Sequence, residues 1–446
     1  MERYGGHMTS ETLFDGEYLS SGRSGVQWGD AQSEETEPTQ ADFSWLVALP
    51  FIITFSDSIF SYFLRPLGFT ITANAIVPLV LIIVAVFVAP SVLKISWTYI
   101  LWLGVLVLSL SLAATTAAHV SIYRILEAGG CAVAFYSGYI LWRQCHEARQ
   151  LNLILSSMSL LYISICMIAL LKIDPVHFPI TETYWSMDGV EQARPRLTAD
   201  ANMQFYYLFP AALALVLPAR FLRTSVAIVA AIGTLYILSM LQTRSGVLVF
   251  VIVLLLALAA PVWKSDLGRG KSIALAMFGA ILVVGAWPMI EKLTAALFYR
   301  FQDSTMASGN GRIDSTLYIF EHLLDPYWWI PRGPDEFLRR FGNLPHSNLT
   351  GIYLDGGLLG LIAWAMLVVR PLVKGTFLFF SHRLDSVAVM ALIAGVAVAI
   401  LQLTLFNTTM DQVWLWAGAV AGGLSRIETF PDDSEHIETQ SNAVYE

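Results

Sequence analysis

The feature that most limits what this chain can fold into is a succession of apolar runs. Each is long enough, or nearly so, to cross a hydrocarbon layer of about 30 Å at 1.5 Å per helical residue. They fall at about 43 to 64, 75 to 93, 96 to 115, 119 to 142, 151 to 171, 203 to 218, 224 to 242, 245 to 263, 272 to 290, 347 to 369, 386 to 405 and 411 to 425. A bilayer interior has no water to satisfy unpaired backbone N–H and C=O groups, so runs of this kind fold as helices. The expected fold class is all-α: a polytopic integral membrane protein of about twelve transmembrane helices, with a large outer loop between helices 9 and 10.

Composition agrees with that reading and removes several alternatives. The chain is 56% hydrophobic and 13% charged, with mean hydropathy +0.61, whereas soluble domains carry about 25% charged residues. Its net charge of −8 is concentrated in two tails, 1 to 42 and 426 to 446, and gives no footprint for nucleic acid. The first tail is polar and rich in Gly, Ser and Glu, and reads as disordered. It lacks the basic segment followed by a short apolar core of a cleavable signal peptide. Cys131, Cys145 and Cys166 lie in or beside apolar runs without CxxC or Cys/His spacing, so neither a disulfide framework nor a zinc site is expected.

Basic residues in short loops resist translocation and so set orientation. With both tails cytoplasmic, Arg143, Arg149, Arg220, Arg223, Lys264, Arg269, Lys271, Arg370, Lys374 and Arg383 fall inside, while the short outer loops hold only Arg65 and Arg244. The transmembrane domain then runs from 43 to 425. Its two longer loops, about 172 to 202 and 291 to 346, face outward, and the second far exceeds an ordinary connection.

Those outer loops are rich in arginine and almost without lysine. The first holds Arg194 and Arg196; the second holds Arg300, Arg312, Arg332, Arg339 and Arg340. A guanidinium presents a planar fork of donors that fits phosphate oxygens in pairs, so phosphate or pyrophosphate is the expected ligand. The same arginines can instead pair with Asp303, Asp314, Glu321, Asp325, Asp335 and Glu336 of their own loop. Arg244, in LQTRSGVLVF, starts a helix at the outer face; it either snorkels to head groups or projects into an outer cavity toward an anion. Tyr327, Trp328 and Trp329 lie mid-loop, where flat rings suit contact with a sugar or lipid.

The stretch PHSNLTGIYLDGGLLGLIAWAMLVVR, from Pro345 to Arg370, combines chemistry with a membrane helix. His346 precedes Ser347 and Asn348, short polar residues suited to capping a helix start. The positive end of a helix dipole disfavours imidazolium, so a histidine there stays neutral and can accept a proton; the alternative is an interfacial polar residue at the end of a membrane helix. Gly356 and Gly360 have the small-xxx-small spacing of close helix packing.

Taken in order, TRSG before an apolar helix, SGNGRIDSTLYIFEHLLDPYWW in the long loop and PHSNLTGIYLDGGLLGLIAW resemble the O-antigen ligase and Wzy-type polymerase superfamily of bacterial membrane glycosyltransferases. RLTADANMQFYYLFPAAL is similar to a further segment of that family, and the likeness covers roughly residues 190 to 370. The resemblance implies a multi-pass protein of the bacterial inner membrane that works on its periplasmic face without metal or other cofactor. It implies an undecaprenyl-pyrophosphate-linked glycan as donor, and lipid A core or a growing polysaccharide as acceptor. Carried over, Arg244 and Arg312 would hold the pyrophosphate, with Arg196 a weaker member of the set. His346 would be the catalytic residue that binds or deprotonates the acceptor hydroxyl. Where the family usually has a Gly-x-Gly turn this chain has WWIPRGPDEF, which leaves Arg332 without an assigned role. The alternative from another class is a transporter or flippase for polysaccharide or a lipid-linked substrate, which would place its binding groups near the midplane.

Overall fold

The computed structural model describes residues 45–56, 73–88, 95–116, 122–145, 148–171, 181–185, 191–195, 205–216, 221–240, 244–263, 277, 317–318, 320–332, 347–380, 384–404 and 411–426. Residues 1–44 and 427–446, and the apolar run at 272 to 290 apart from residue 277, lie outside them. The described chain forms α1 (Trp45–Phe55), α2 (Ala73–Val88), α3 (Trp97–Thr116), α4 (Ile122–Gln144) and α5 (Ala148–Leu170). After these come β1 (Thr181–Trp185) and β2 (Glu191–Pro195), then α6 (Phe205–Leu208), α7 (Pro210–Leu213), α8 (Phe221–Met240) and α9 (Arg244–Trp263). The last elements are α10 (Asn348–Trp364), a π-helical turn (Ala365–Val369), α11 (Arg370–Phe380), α12 (Ser386–Thr404) and α13 (Asp411–Ser425). Among the described residues three helices are long and apolar enough to cross a membrane: Ile125–Gln144, Gln150–Ile168 and Asn348–Phe380. The protein is a helical membrane protein. The connection between α5 and α6 also carries an antiparallel ribbon, with Thr181 opposite Pro195 and Trp185 opposite Glu191, which the all-α expectation did not include.

The bundle is built around a parallel pair, α4 and α13. A Cβ added at Gly418 would lie 2.6 Å from the carbonyl carbon of Phe135, and one at Gly422 would lie 2.9 Å from the Cα of Tyr139. From the other side, a Cβ at Gly138 would lie 2.8 Å from the nitrogen of Ala419. Backbone therefore rests on backbone along two helical turns, the packing that small residues allow where lipid supplies no hydrophobic drive. Because Phe135 meets Gly418 and Tyr139 meets Gly422, the two helices run in the same direction.

Beside that pair sits α6 and α7, whose residues 205–213 are all buried. A continuous helix over 203 to 218 is the simple expectation, but Pro210 removes the N–H that would bond to the carbonyl of Tyr206. That carbonyl accepts instead from the indole of Trp416, at 3.1 Å. Thr234 donates to the carbonyl of Leu208 at 3.4 Å, and Asn152 to that of Ala214 at 2.8 Å. Side chains from three helices thus satisfy the backbone groups that the interruption frees, as burial in a membrane bundle requires. Rings close the core around them. Phe209 lies 4.5 Å from Trp416 between centroids, and Tyr162 stacks on Tyr207 at 4.8 Å.

The expectation that Arg370 and Lys374 lie in a short loop is revised. They belong to α11, which continues α10 through the π-helical turn, so that the apolar stretch Asn348–Phe380 is 33 residues long and is interrupted at Gly357.

Candidate functional site

The residues that position the candidate chemistry are those at the start of α10. Ser347 is extended, with φ −127° and ψ 137°, and its hydroxyl accepts from the backbone N–H of Thr350 at 3.2 Å. Its carbonyl accepts from Gly351 at 3.0 Å, which closes the first turn. This is the cap expected from the sequence, and it is buried: Ser347 and Asn348 are 1% exposed and Thr350 not at all. A polar helix start held away from solvent keeps its dipole unscreened, so it acts more strongly on a neighbouring group than one in water.

Nine residues on, α10 breaks. Gly357 has φ 60° and ψ −160°, a conformation that costs a residue with a side chain about 1–3 kcal/mol. The break is filled by the main chain of the long loop. The carbonyl of Trp329 accepts from the N–H of Leu358 at 3.2 Å, and the N–H of Arg332 donates to the carbonyl of Leu354 at 2.9 Å. A Cβ at position 357 would lie 3.0 Å from the carbonyl carbon of Trp329 and 3.1 Å from Cδ of Pro331. Glycine is therefore needed twice, for its backbone and for its size. Gly357→Ala is expected to expel the loop, seen as new protease cleavage within residues 317 to 332 of otherwise folded protein; an unchanged digestion pattern would contradict this.

The loop that enters the break is itself preformed. Asp325 caps a single 3₁₀ turn, Pro326–Trp328, accepting from the N–H of Tyr327 at 2.9 Å. Trp328 is fully buried, 5.7 Å from the ring of Tyr318 and 5.1 Å from that of Tyr327. The hydroxyl of Tyr353 reaches back from α10 to the carbonyls of His322, at 3.2 Å, and Leu323, at 3.4 Å. Arg332 lays its guanidinium over the ring of Tyr327 at 4.2 Å and donates Nε to that residue's carbonyl at 3.2 Å. The expectation that all three aromatics of this cluster could meet a ligand is corrected for Trp328, which is core. On the far side, Gly356 and Gly360 admit the hydroxyl of Ser109 on α3, the close packing that their spacing predicts.

Of the residues assigned to the chemistry, His346, Arg312 and Arg196 lie outside the described residues. Arg244 is the first residue of α9, and its side chain likewise lies outside them. What the structure adds is the frame that His346 adjoins: a buried, serine-capped helix start and a loop tied to the same helix nine residues further on. The role of Gly357 and the docking of residues 326–332 escaped sequence reasoning. The available signal was the Gly356–Gly357 pair, which reads equally as close packing. Among the described residues, no three His, Cys, Asp or Glu side chains lie close enough to share a metal ion. No protein-family model, no curated protein and no solved structure matches this chain.

Proposed function

We propose that this protein is a glycosyltransferase of the bacterial inner membrane, with both termini cytoplasmic, that moves a glycan from undecaprenyl pyrophosphate to an acceptor hydroxyl on the periplasmic face. The observation that supports this reading is the position of His346 in the chain, directly before a buried helix start capped by Ser347. A neutral imidazole there accepts the proton of the acceptor hydroxyl as its oxygen attacks the anomeric carbon. The bond from that carbon to the pyrophosphate oxygen breaks, and undecaprenyl pyrophosphate leaves. Arg244, Arg312 and Arg196 take the charge that develops on the leaving oxygens, the task of fixed cationic donors in a transition state. A single displacement of this kind inverts the anomeric centre. No residue of the scheme calls for a metal.

Ligase and polymerase differ in the acceptor alone: lipid A core in one, a carrier-linked growing chain in the other. Lipopolysaccharide gels of a deletion strain separate them. Loss of capped bands with carrier-linked polymer retained identifies a ligase; single-repeat caps or lost exopolysaccharide identify a polymerase. Unchanged lipopolysaccharide and exopolysaccharide would overturn the proposal.

One observation favours the transporter reading: the chain holds two interrupted helices, at Pro210 and at Gly357, a feature of transporter binding sites. In this bundle both interruptions are occupied by the protein itself. The indole of Trp416 takes the carbonyl freed at Pro210, and loop main chain fills the gap at Gly357. Neither leaves those backbone groups open to a substrate, and glycan transfer remains the stronger reading.

A further inference from the structure

The geometry points to residues 317–332 as a foot that rests in the membrane leaflet next to the start of α10, with apolar side chains among lipid chains and Arg332 at the level of lipid phosphates. Most of the exposed residues on this segment are large and apolar. Leu317, Phe320, Leu324, Trp329 and Ile330 are 51%, 65%, 82%, 44% and 53% exposed, while Trp328 between them is fully buried against α10. Five large apolar side chains on one short segment exceed the scatter of single residues found on a water-facing surface.

The occupant of this patch follows from where the segment is fastened. Its main chain bonds to Leu354 and Leu358, and its buried core of Trp328, Tyr353 and Leu354 takes in Leu361 as well. Leu361 lies inside the long apolar helix, so the segment reaches down alongside a membrane-crossing element. Just past the position where the segment is fastened, α10 has exposed apolar residues of its own, Leu359 at 51% and Ile362 at 38%. An apolar surface fastened to a spanning helix beside that helix's own exposed apolar residues meets lipid.

Polar groups are arranged to match. Arg332 bonds at Leu354, about one turn nearer the helix start than Leu358. Its Nε is bound by the carbonyl of Tyr327 and its plane is stacked on the Tyr327 ring. Its terminal nitrogens have no protein partner among the described residues, and a guanidinium fork of this kind fits the phosphate oxygens of head groups. Glu321 is exposed beside Phe320, which limits the depth to the boundary between head groups and chains, where amphipathic segments and Trp rings reside. This contact is independent of glycan transfer and stands if that proposal fails.

A nitroxide attached at Leu324→Cys in the full chain, reconstituted in phospholipid nanodiscs, tests the placement. Cys131, Cys145 and Cys166 are fully buried, so the new thiol reacts selectively. The label is expected to collide more often with dissolved oxygen than with a water-soluble nickel chelate. The reverse preference would overturn the proposal. Phe320→Cys, labelled in the same way, guards against a local disturbance and must give the same sign. Adding Arg332→Gln is expected to shift the Leu324 label toward water; an unchanged collision ratio would remove the phosphate contact.

Discussion

Gly418→Leu is expected to leave little folded protein in the membrane. At this position a side chain has nowhere to go, because even its first carbon would lie 2.6 Å from the carbonyl carbon of Phe135 on α4. Overpacking an ordinary core costs about 1–3 kcal/mol, since neighbouring side chains can turn aside. Helix backbone cannot turn aside, so α4 and α13 would have to separate along the whole contact, and Gly422 and Gly138 would lose their seats with Gly418. The loss spreads further, because Trp416 on α13 also holds the interrupted segment at Pro210. Size-exclusion profiles of detergent-extracted protein should show aggregate for Gly418→Leu and an intermediate result for Gly418→Ala. A profile equal to that of the unchanged protein for the leucine variant would refute the parallel contact.

His346→Ala and Arg312→Ala are expected to stop glycan transfer with protein level unchanged. Loss of a positioned base lowers a rate by about 10² to 10⁴-fold, and loss of one donor to a developing oxyanion by about 10² to 10³-fold. Complementation of a deletion strain, read as lipopolysaccharide or exopolysaccharide together with an immunoblot for the protein, measures both quantities. Full complementation by both variants would remove the proposed mechanism. Normal level is the necessary control, since the serine cap beside His346 is buried and a disturbed helix start would imitate a lost base.

Hydropathy made much of the helical framework legible, because a bilayer leaves an apolar run few other ways to satisfy its backbone. The cap at Ser347 was legible for the same reason: a short hydroxyl side chain in that place has one economical use. Three things were not. The partnership of α4 and α13 depends on glycines far apart in sequence, and nothing in either run names the other. The interruption at Gly357 depends on a loop carbonyl arriving from Trp329, so the GG pair alone could not distinguish a break from close packing. Burial of Trp328 is likewise a tertiary event: the same YWW cluster would serve as well at a sugar or on a lipid surface. The candidate chemistry rested on the order of motifs, and on His346 standing before a cap.

The seam between α4 and α13 also bears on how the protein is made. Tyr139 and Ser425, which bond across its C-terminal end at 3.3 Å, are 286 residues apart. Ribosomes add roughly 5–20 residues per second, so α4 waits on the order of tens of seconds for its partner. Through that interval the face of α4 around Phe135, Gly138 and Tyr139 lacks the helix it packs against. Nascent chains stalled short of residue 411 would therefore be natural clients for a membrane chaperone or protease, and the arrival of the final helix would release them.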